Sequence, residues 1–473
     1  MEIIIKALNL NYSSFLLIFK YKEINAISST YEKEKRLPIL AETDVLVVGG
    51  GPAGLSASLA AAREGVDTIL LERYGFLGGN ITQAMVETIA WYRHEKTVES
   101  DGIGREIEEY MTVFGGTYPD PESTGRLLDA DMFKCGADKL IAQSGVRPLF
   151  HCYAVAAIVE DDLIRGVITE SKSGRQAVLA KVVIDATGDA DIAAFAGVPY
   201  AKGSAGDLMS VTTGFGVSGV DLKAFREDIA KHPGKIGDWS EETAKGEDNL
   251  FSPYFTDVFE KARKDGVIPK ESPLEGFWHA LTEAGEVTGL NVVRVGHVDP
   301  TNVWDLTRAE IEGREQALLA LEALRRYQPG FEKAKLRTLG SSIGTRESRK
   351  IVGRYNLTGR DVKNQARFND SIGIFPEFLD AYGIVIIPTT GRYFQVPYGI
   401  MVPLNVDNLL VSGRCVAGDR ISHSATRQMM CCTVTGQGAG VAASVAIKSN
   451  SSTGTVDLDK VQNRLKKQGV RIA

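Results

Sequence analysis

Apolar residues fall along this chain in two kinds of run. Short, β-branched, nearly continuous runs occur at DVLVV (44–48), DTILLE (67–72), the start of KVVIDATGDADIAAFAG (181–197) and NLLV (408–411). Runs of that length and type predict strands buried on both faces of a parallel sheet. Helical periodicity takes over at LSASLAAAREG (55–65), an Ala-rich helix closed by glycine, and at LTRAEIEGREQALLALEALRRY (306–327). In the second, Ala317, Leu318, Leu321 and Leu324 share one face and charged residues the other, as in an amphipathic helix laid on a core. Strand, glycine turn, helix and strand between 44 and 72 fit one βαβ unit of about 30 residues. The stretch from 200 to 383 shows no such alternation, and the first forty residues differ again: a short apolar patch (15–19) is followed at once by Lys20 and Lys22. That patch is a poor signal peptide, and 1–36 is expected to be a loosely packed extension.

Composition narrows the class. The 473 residues carry 60 acidic and 54 basic side chains, a net charge of −6, which argues against a nucleic-acid or anionic-membrane partner. No uninterrupted apolar run spans a bilayer, so a soluble, cytoplasmic chain is expected. Five cysteines (135, 152, 415, 431, 432) form neither CxxC nor a metal-ligand spacing, and no metal is predicted. The adjacent Cys431 and Cys432 stand among Met429, Met430 and Val434, company that suits packing better than redox exchange. Glycine is enriched, at 49 residues.

Its placement carries chemistry. Gly49, Gly51 and Gly54 stand in the G-x-G-x-x-G register between the first strand and helix. The first permits a tight turn, the second lets backbone approach a pyrophosphate, and the third lets helix pack on strand. The helix start at Pro52 and Ala53 offers N–H groups and a positive dipole end to phosphate. Glu72 lies where an acidic residue meets a ribose.

With GGN at 78–80, VVIDATGDAD (182–191), LGSSIGTRESRKIVGRYNLTGRDV (339–362) and NLLVSGRC…GQGAGVAA, the chain resembles FAD-dependent oxidoreductases related to the fumarate reductase and succinate dehydrogenase flavoproteins. The resemblance implies an α/β fold: a Rossmann-like FAD-binding domain with a doubly wound parallel sheet (37–199 and 384–473) and an inserted α+β substrate domain (200–383). It implies FAD, with Gly49, Gly51, Pro52, Ala53 and Gly54 at the pyrophosphate, and Glu72 and Arg73 at the adenosine. Gly78, Gly79 and Gly188 would lie along the same path, Val155 at the adenine and Asp419 at the ribityl chain. A helix opening at Gly436, Gln437 and Gly438 would face the flavin pyrimidine edge; the alternative is that these glycines only let two helices approach. No second G-x-G-x-x-G and no Cys-x4-Cys follow, so a bound NAD(P)H domain is not expected.

His423 and Arg427 stand four apart, so on a helix they share a face just before that turn. They are candidates for proton transfer and for holding a carboxylate. Arg346 and Arg349 are candidates for substrate binding, with an inter-domain ion-pair network as the alternative; for His423 the alternative is a structural histidine. Tyr393, Gln395 and Tyr398 suit a pocket wall or plain packing. The reading is hydride transfer between a small organic substrate and flavin N5. A flavin monooxygenase and a non-catalytic FAD-binding protein are the competing classes. Neither substrate nor electron acceptor is indicated.

Overall fold

The computed structural model describes residues 30, 32–89, 93, 95–120, 123–231, 255–381, 384–388 and 391–473. Most of the predicted extension (1–29 and 31) therefore lies outside the described residues.

The principal sheet contains β1 (Ile39–Val48), followed by helix α1 (Pro52–Arg63), then β2 (Thr68–Leu71), β3 (Arg147–Leu149), β4 (Tyr153–Glu160), β5 (Leu163–Ser171) and β6 (Gly174–Asp185). Its order is β3-β2-β1-β6-β5-β4, with strand Leu409–Val411 also paired to β6. Every pairing among β3, β2, β1, β6 and Leu409–Val411 is parallel, while β4, β5 and β6 form an antiparallel meander. The end of β1 is buried on both faces because α1 covers one side: Val45, Leu46 and Val47 are inaccessible to solvent. The predicted parallel α/β architecture is the one observed.

Two sheet contacts place the glycine turn. Gly49 N–H donates to Leu71 O (2.8 Å) and Ala186 N–H to Val48 O (2.8 Å), so the turn leaves β1 between the carboxyl ends of β2 and β6. A Cβ on Gly54 would lie 1.7 Å from Gly49 O, so the helix reaches the strand only because position 54 is bare.

A second, antiparallel sheet follows, built from β7 (Phe215–Ser218), β8 (Ala280–Leu281), β9 (Glu286–Leu290) and β10 (Lys335–Leu339) in the order β8-β9-β7-β10. Helix α2 (Val303–Tyr327) packs on its core with Ala317, Ala320, Leu321 and Leu324. Leu318, placed on that face by periodicity, is instead 57% exposed. This second core draws on residues 211 to 343, whereas Ile351, Leu357, Ile372, Phe375 and Leu379 pack in the first.

Near the C-terminus α3 (Arg420–Thr426) leads into α4 (Met429–Lys448). Helix α4 is long and apolar enough to cross a membrane by composition, yet it is the buried core helix of this fold. It corrects one expectation. No helix opens at Gly436, Gln437 and Gly438; all three lie inside α4, which begins two turns earlier. A Cβ on Gly436 would stand 2.1 Å from Ala53 O and one on Gly440 2.2 Å from Ala57 O, so these glycines let α4 cross α1 at backbone contact. Gly438 faces Ile372, and Gln437 accepts from Ile103 N–H at 2.9 Å.

Candidate active site

A cleft of about 390 Å³ runs from the glycine turn to the junction of the two cores. Its nucleotide end is built by Gly49, Gly51, Pro52, Ala53, Gly79 and Gly188, with Glu72, Arg73, Cys152, Tyr153 and Ala154 beyond. Glu72 is buried and holds the turn in shape: Oε2 accepts from Gly50 N–H at 2.6 Å and Oε1 from Tyr74 N–H at 2.8 Å. Burial pushes its carboxyl pKa up. Gly51 decides whether the cradle fits a dinucleotide. Its φ of −73° suits any residue, and the nearest atom to a Cβ there is Gly79 Cα at 3.7 Å. The main chain has no need of glycine at 51; only something lying against it does.

Several predicted residues stand elsewhere. Val155 is outside the cleft wall: β4 is irregular between Ala154 and Ala156, and Cys152, Tyr153 and Ala154 form the wall instead. Asp419 is the N-cap of α3, accepting from Ser422 N–H (2.7 Å) and Gly359 N–H (2.9 Å), and does not line the cleft. Gly78 turns the chain at φ +113° behind the wall. Arg349 pairs with Asp191 (2.8 Å) and lies over the Tyr200 ring, outside the cleft, in the ion-pair network foreseen as its alternative. His423 is buried within α3, one turn behind Arg427, and is not a wall residue. Burial, with Lys350, Arg427 and Arg414 nearby, pushes its pKa well down, so it is a neutral core histidine. Gln395 and Tyr398 bond main-chain carbonyls of Ile472 and Thr453, and neither they nor Tyr393 line the cleft.

Arg346 and Arg427 do line it, at the end away from the nucleotide, joined there by Arg294, Asn291, Glu275, His279 and Asp380. Arg427 donates to Asp380 Oδ2 at 2.8 Å. Arg346 donates to neutral oxygens, Ser210 O at 2.7 Å and Asn291 Oδ1 at 3.3 Å, and Arg294 reaches the same Asn291 Oδ1 at 3.0 Å. Thr212 Oγ1 donates to the same atom at 3.0 Å. Burial, then Arg294 and Arg427, push the Arg346 pKa well down. A guanidinium does not surrender its proton in a protein, so Arg346 stays charged in an enclosed site. Among the described residues at this end of the cleft are three guanidiniums and the carboxylates of Glu275 and Asp380.

Sequence reasoning missed Arg294, Asn291 and His279. Their signal was there: GLNVVRV (289–295) and GFWHAL (276–281) put polar side chains in apolar runs, where burial is otherwise unfavourable.

Beside this chamber, His279 and Glu87 are both buried, Nδ1 to Oε2 at 3.9 Å. Burial pushes Glu87 up to about 8 and His279 down to about 4. Unfolded, they titrate near 4.5 and 6.5. Glu87 therefore stabilises fully below 4.5 and loses that contribution as pH rises toward 8. His279 stabilises fully above 6.5 and loses its contribution as pH falls toward 4. Between 4.5 and 6.5 the two slopes oppose; above 6.5 only Glu87 acts. Stability should drop by on the order of 2 kcal/mol from pH 6.5 to 8. Urea titrations of Glu87→Gln across that range should lack this decline.

Compared with known proteins, residues 44–465 match the family model described as FAD dependent oxidoreductase. The chain belongs to that family. FAD is accordingly the cofactor, and the bare backbone at Gly51 fits its pyrophosphate. Curated relatives of this flavoprotein include digeranylgeranylglycerophospholipid reductase of Methanosarcina acetivorans, 25% identical over 169 residues. That match spans 33% of this chain and 40% of the relative. Thiamine thiazole synthase of Methanococcus vannielii is 32% identical over 166 residues, spanning 32% and 57%. The matched stretches thus span about half the length of these relatives. Among solved structures, a geranylgeranyl bacteriochlorophyll reductase-like protein of Thermoplasma acidophilum covers 90% of this chain and 82% of its own at 15% identity, TM-score 0.45. The anhydrotetracycline hydroxylase OxyS of Streptomyces rimosus covers 90% and 66% at 13% identity, TM-score 0.43.

Proposed function

We propose that this FAD-dependent oxidoreductase transfers hydride between flavin N5 and a small organic anion. The observation that carries the reading is Arg346, a guanidinium held by two neutral oxygens, Ser210 O and Asn291 Oδ1, in a chamber open to the cofactor cleft. A desolvated positive charge held so is costly unless an anion joins it, and a carboxylate takes bidentate bonds from a guanidinium fork. Bound FAD supplies a two-electron acceptor or donor at N5. Gly49, Gly51 and Gly79 hold its pyrophosphate. Arg294 and Arg346 bind the anionic group, while Asp380 fixes the orientation of Arg427. Phe277, Met209 and Met429 add apolar surface to the cleft wall.

Anaerobic holoprotein should be bleached by a member of a panel of hydroxy, amino or saturated acids, or its reduced form reoxidised by an unsaturated acid. Neutral amides and alcohols of the same skeleton should be inert. Oxygen-dependent NADPH consumption, with no anaerobic bleaching by any acid, would instead identify a monooxygenase.

A further inference from the structure

The three arginines can hold an anion and polarise it, but none can give up a proton. Hydride transfer to or from carbon is accompanied by a proton, so the chamber needs a second kind of group. His279 lines the cleft and is only 3% exposed. Its Nδ1 faces Glu87, whose main-chain N–H approaches at 3.4 Å. A donor at Nδ1 leaves the ring proton on Nε2. Nε2 has no partner among the described residues, although it is fully buried. A buried N–H without an acceptor is unfavourable, and a substrate atom would relieve it.

The ring stays neutral because it is enclosed. Behind it, Glu87 Oε2 accepts from Thr288 Oγ1 at 2.7 Å. The charged and titratable groups around this carboxyl are His279, Asp129, Asp131 and Tyr118. Burial, and after it the two Asp carboxylates, disfavour a negative charge here, so Glu87 holds a proton at neutral pH. Gly289 is bare beneath the pair: at φ +56°, a Cβ there would fall 2.2 Å from His279 Nδ1 and 2.8 Å from Glu87 Oε2.

We propose that His279 is the proton donor of this chamber, passing its Nε2 proton to the substrate, and that the carboxyl of Glu87 refills the ring through Nδ1. This rests on the anionic-substrate reading above. In the reducing direction the His279 Nε2–H bond breaks and the substrate atom beside the hydride acceptor gains that proton. The Glu87 O–H bond breaks and an Nδ1–H bond forms as Oε2 closes on Nδ1 by about an ångström. Both electrons travel with the hydride. The pair ends as an Nδ1–H imidazole and a carboxylate; between turnovers Nδ1 returns its proton to Glu87 Oε2 and Nε2 takes one from solvent. Oxidation runs the same bonds in reverse.

The test is nitrogen NMR of holoprotein labelled with 15N-histidine, the His279 signals being assigned by their loss in His279→Gln. Expected are an Nε2–H tautomer from pH 5 to 9 and a step in the Nδ1 shift near pH 8 as Glu87 titrates. Glu87→Gln, which keeps an acceptor for Thr288, should abolish the step. Acetate or benzoate that perturbs the flavin spectrum should also move the Nε2 signal. An Nδ1–H tautomer, ring protonation near pH 6.5, a step that survives in Glu87→Gln, or a bound carboxylate that leaves Nε2 unmoved would each overturn the assignment. Flavin spectra indifferent to every carboxylate, with tautomer and step as expected, would remove the anionic-substrate reading and keep the His279–Glu87 pair.

Discussion

Gly51→Val should fold normally and purify without flavin. The φ of −73° at Gly51 is open to valine, and its Cβ would meet nothing closer than 3.7 Å, so the empty cradle accepts the side chain. The branched carbons then occupy the volume in which backbone and pyrophosphate meet. Affinity for FAD should fall by at least ~10²-fold, about 3 kcal/mol, read from the ratio of flavin to protein absorbance after gel filtration. Gly54→Val is the contrasting variant. Its Cβ would drive into Gly49 O at 1.7 Å, so the protein itself should be lost to the insoluble fraction. A yellow, stoichiometric Gly51→Val protein would refute the cradle.

Arg346→Met should separate stability from activity. The guanidinium sits against Arg294 and Arg427 with only neutral acceptors of its own, Ser210 O at 2.7 Å and Asn291 Oδ1. Methionine relieves the repulsion and leaves Ser210 O short of a donor, while Asn291 Oδ1 keeps Arg294, effects of opposite sign and each about 1 kcal/mol. Thermal stability should therefore stay close to that of the wild type. Turnover of the acid found by anaerobic screening should drop by roughly 10² to 10⁴, with FAD retained, because the charge that orients and stabilises the anion is gone. Arg346→Lys keeps the charge without the planar fork and should recover only part of the rate. Normal kcat/KM in Arg346→Met would move the substrate elsewhere.

The parts of this site that were legible in the sequence are those whose parts are close along the chain. Strand, glycine turn, helix and Glu72 span under thirty residues, and each position in that unit has one geometric reason to be what it is. Longer-range placement failed where a local pattern served a different end. GQGAG looked like a helix start aimed at the flavin pyrimidine edge, but the helix was already two turns old, and Gly436 and Gly440 answer to the backbone of α1 rather than to a ligand. Asp419 is an aspartate before a helix in both readings, and an N-cap demands that residue as firmly as a ribityl chain would. His423 and Arg427 do share a helix, yet only the residue at the C-terminal end clears the core. The chamber was illegible for a different reason. Arg294 comes from a loop after β9 and Arg346 from beyond β10, brought together by antiparallel pairing of β7 with β9 and β10, and Arg427 reaches them from the end of α3 in the other core.

The second sheet enters and leaves the FAD-binding core at one place. Thr212 and Gly344 exchange hydrogen bonds of 3.0 and 2.6 Å, and Gly340 N–H donates to Gly214 O at 2.9 Å. The entropy of closing this long insertion is thus met at a single clasp, and the host fold registers only a short gap between neighbouring chain ends. Such a module can be lengthened, trimmed or exchanged above the clasp without disturbing the cradle. Because Asn291, Arg294, His279 and Glu275 all lie inside the insertion while Gly49, Gly51 and Gly79 lie outside it, grafting a different module at 212 and 344 would replace that side of the chamber and leave the glycine cradle in place.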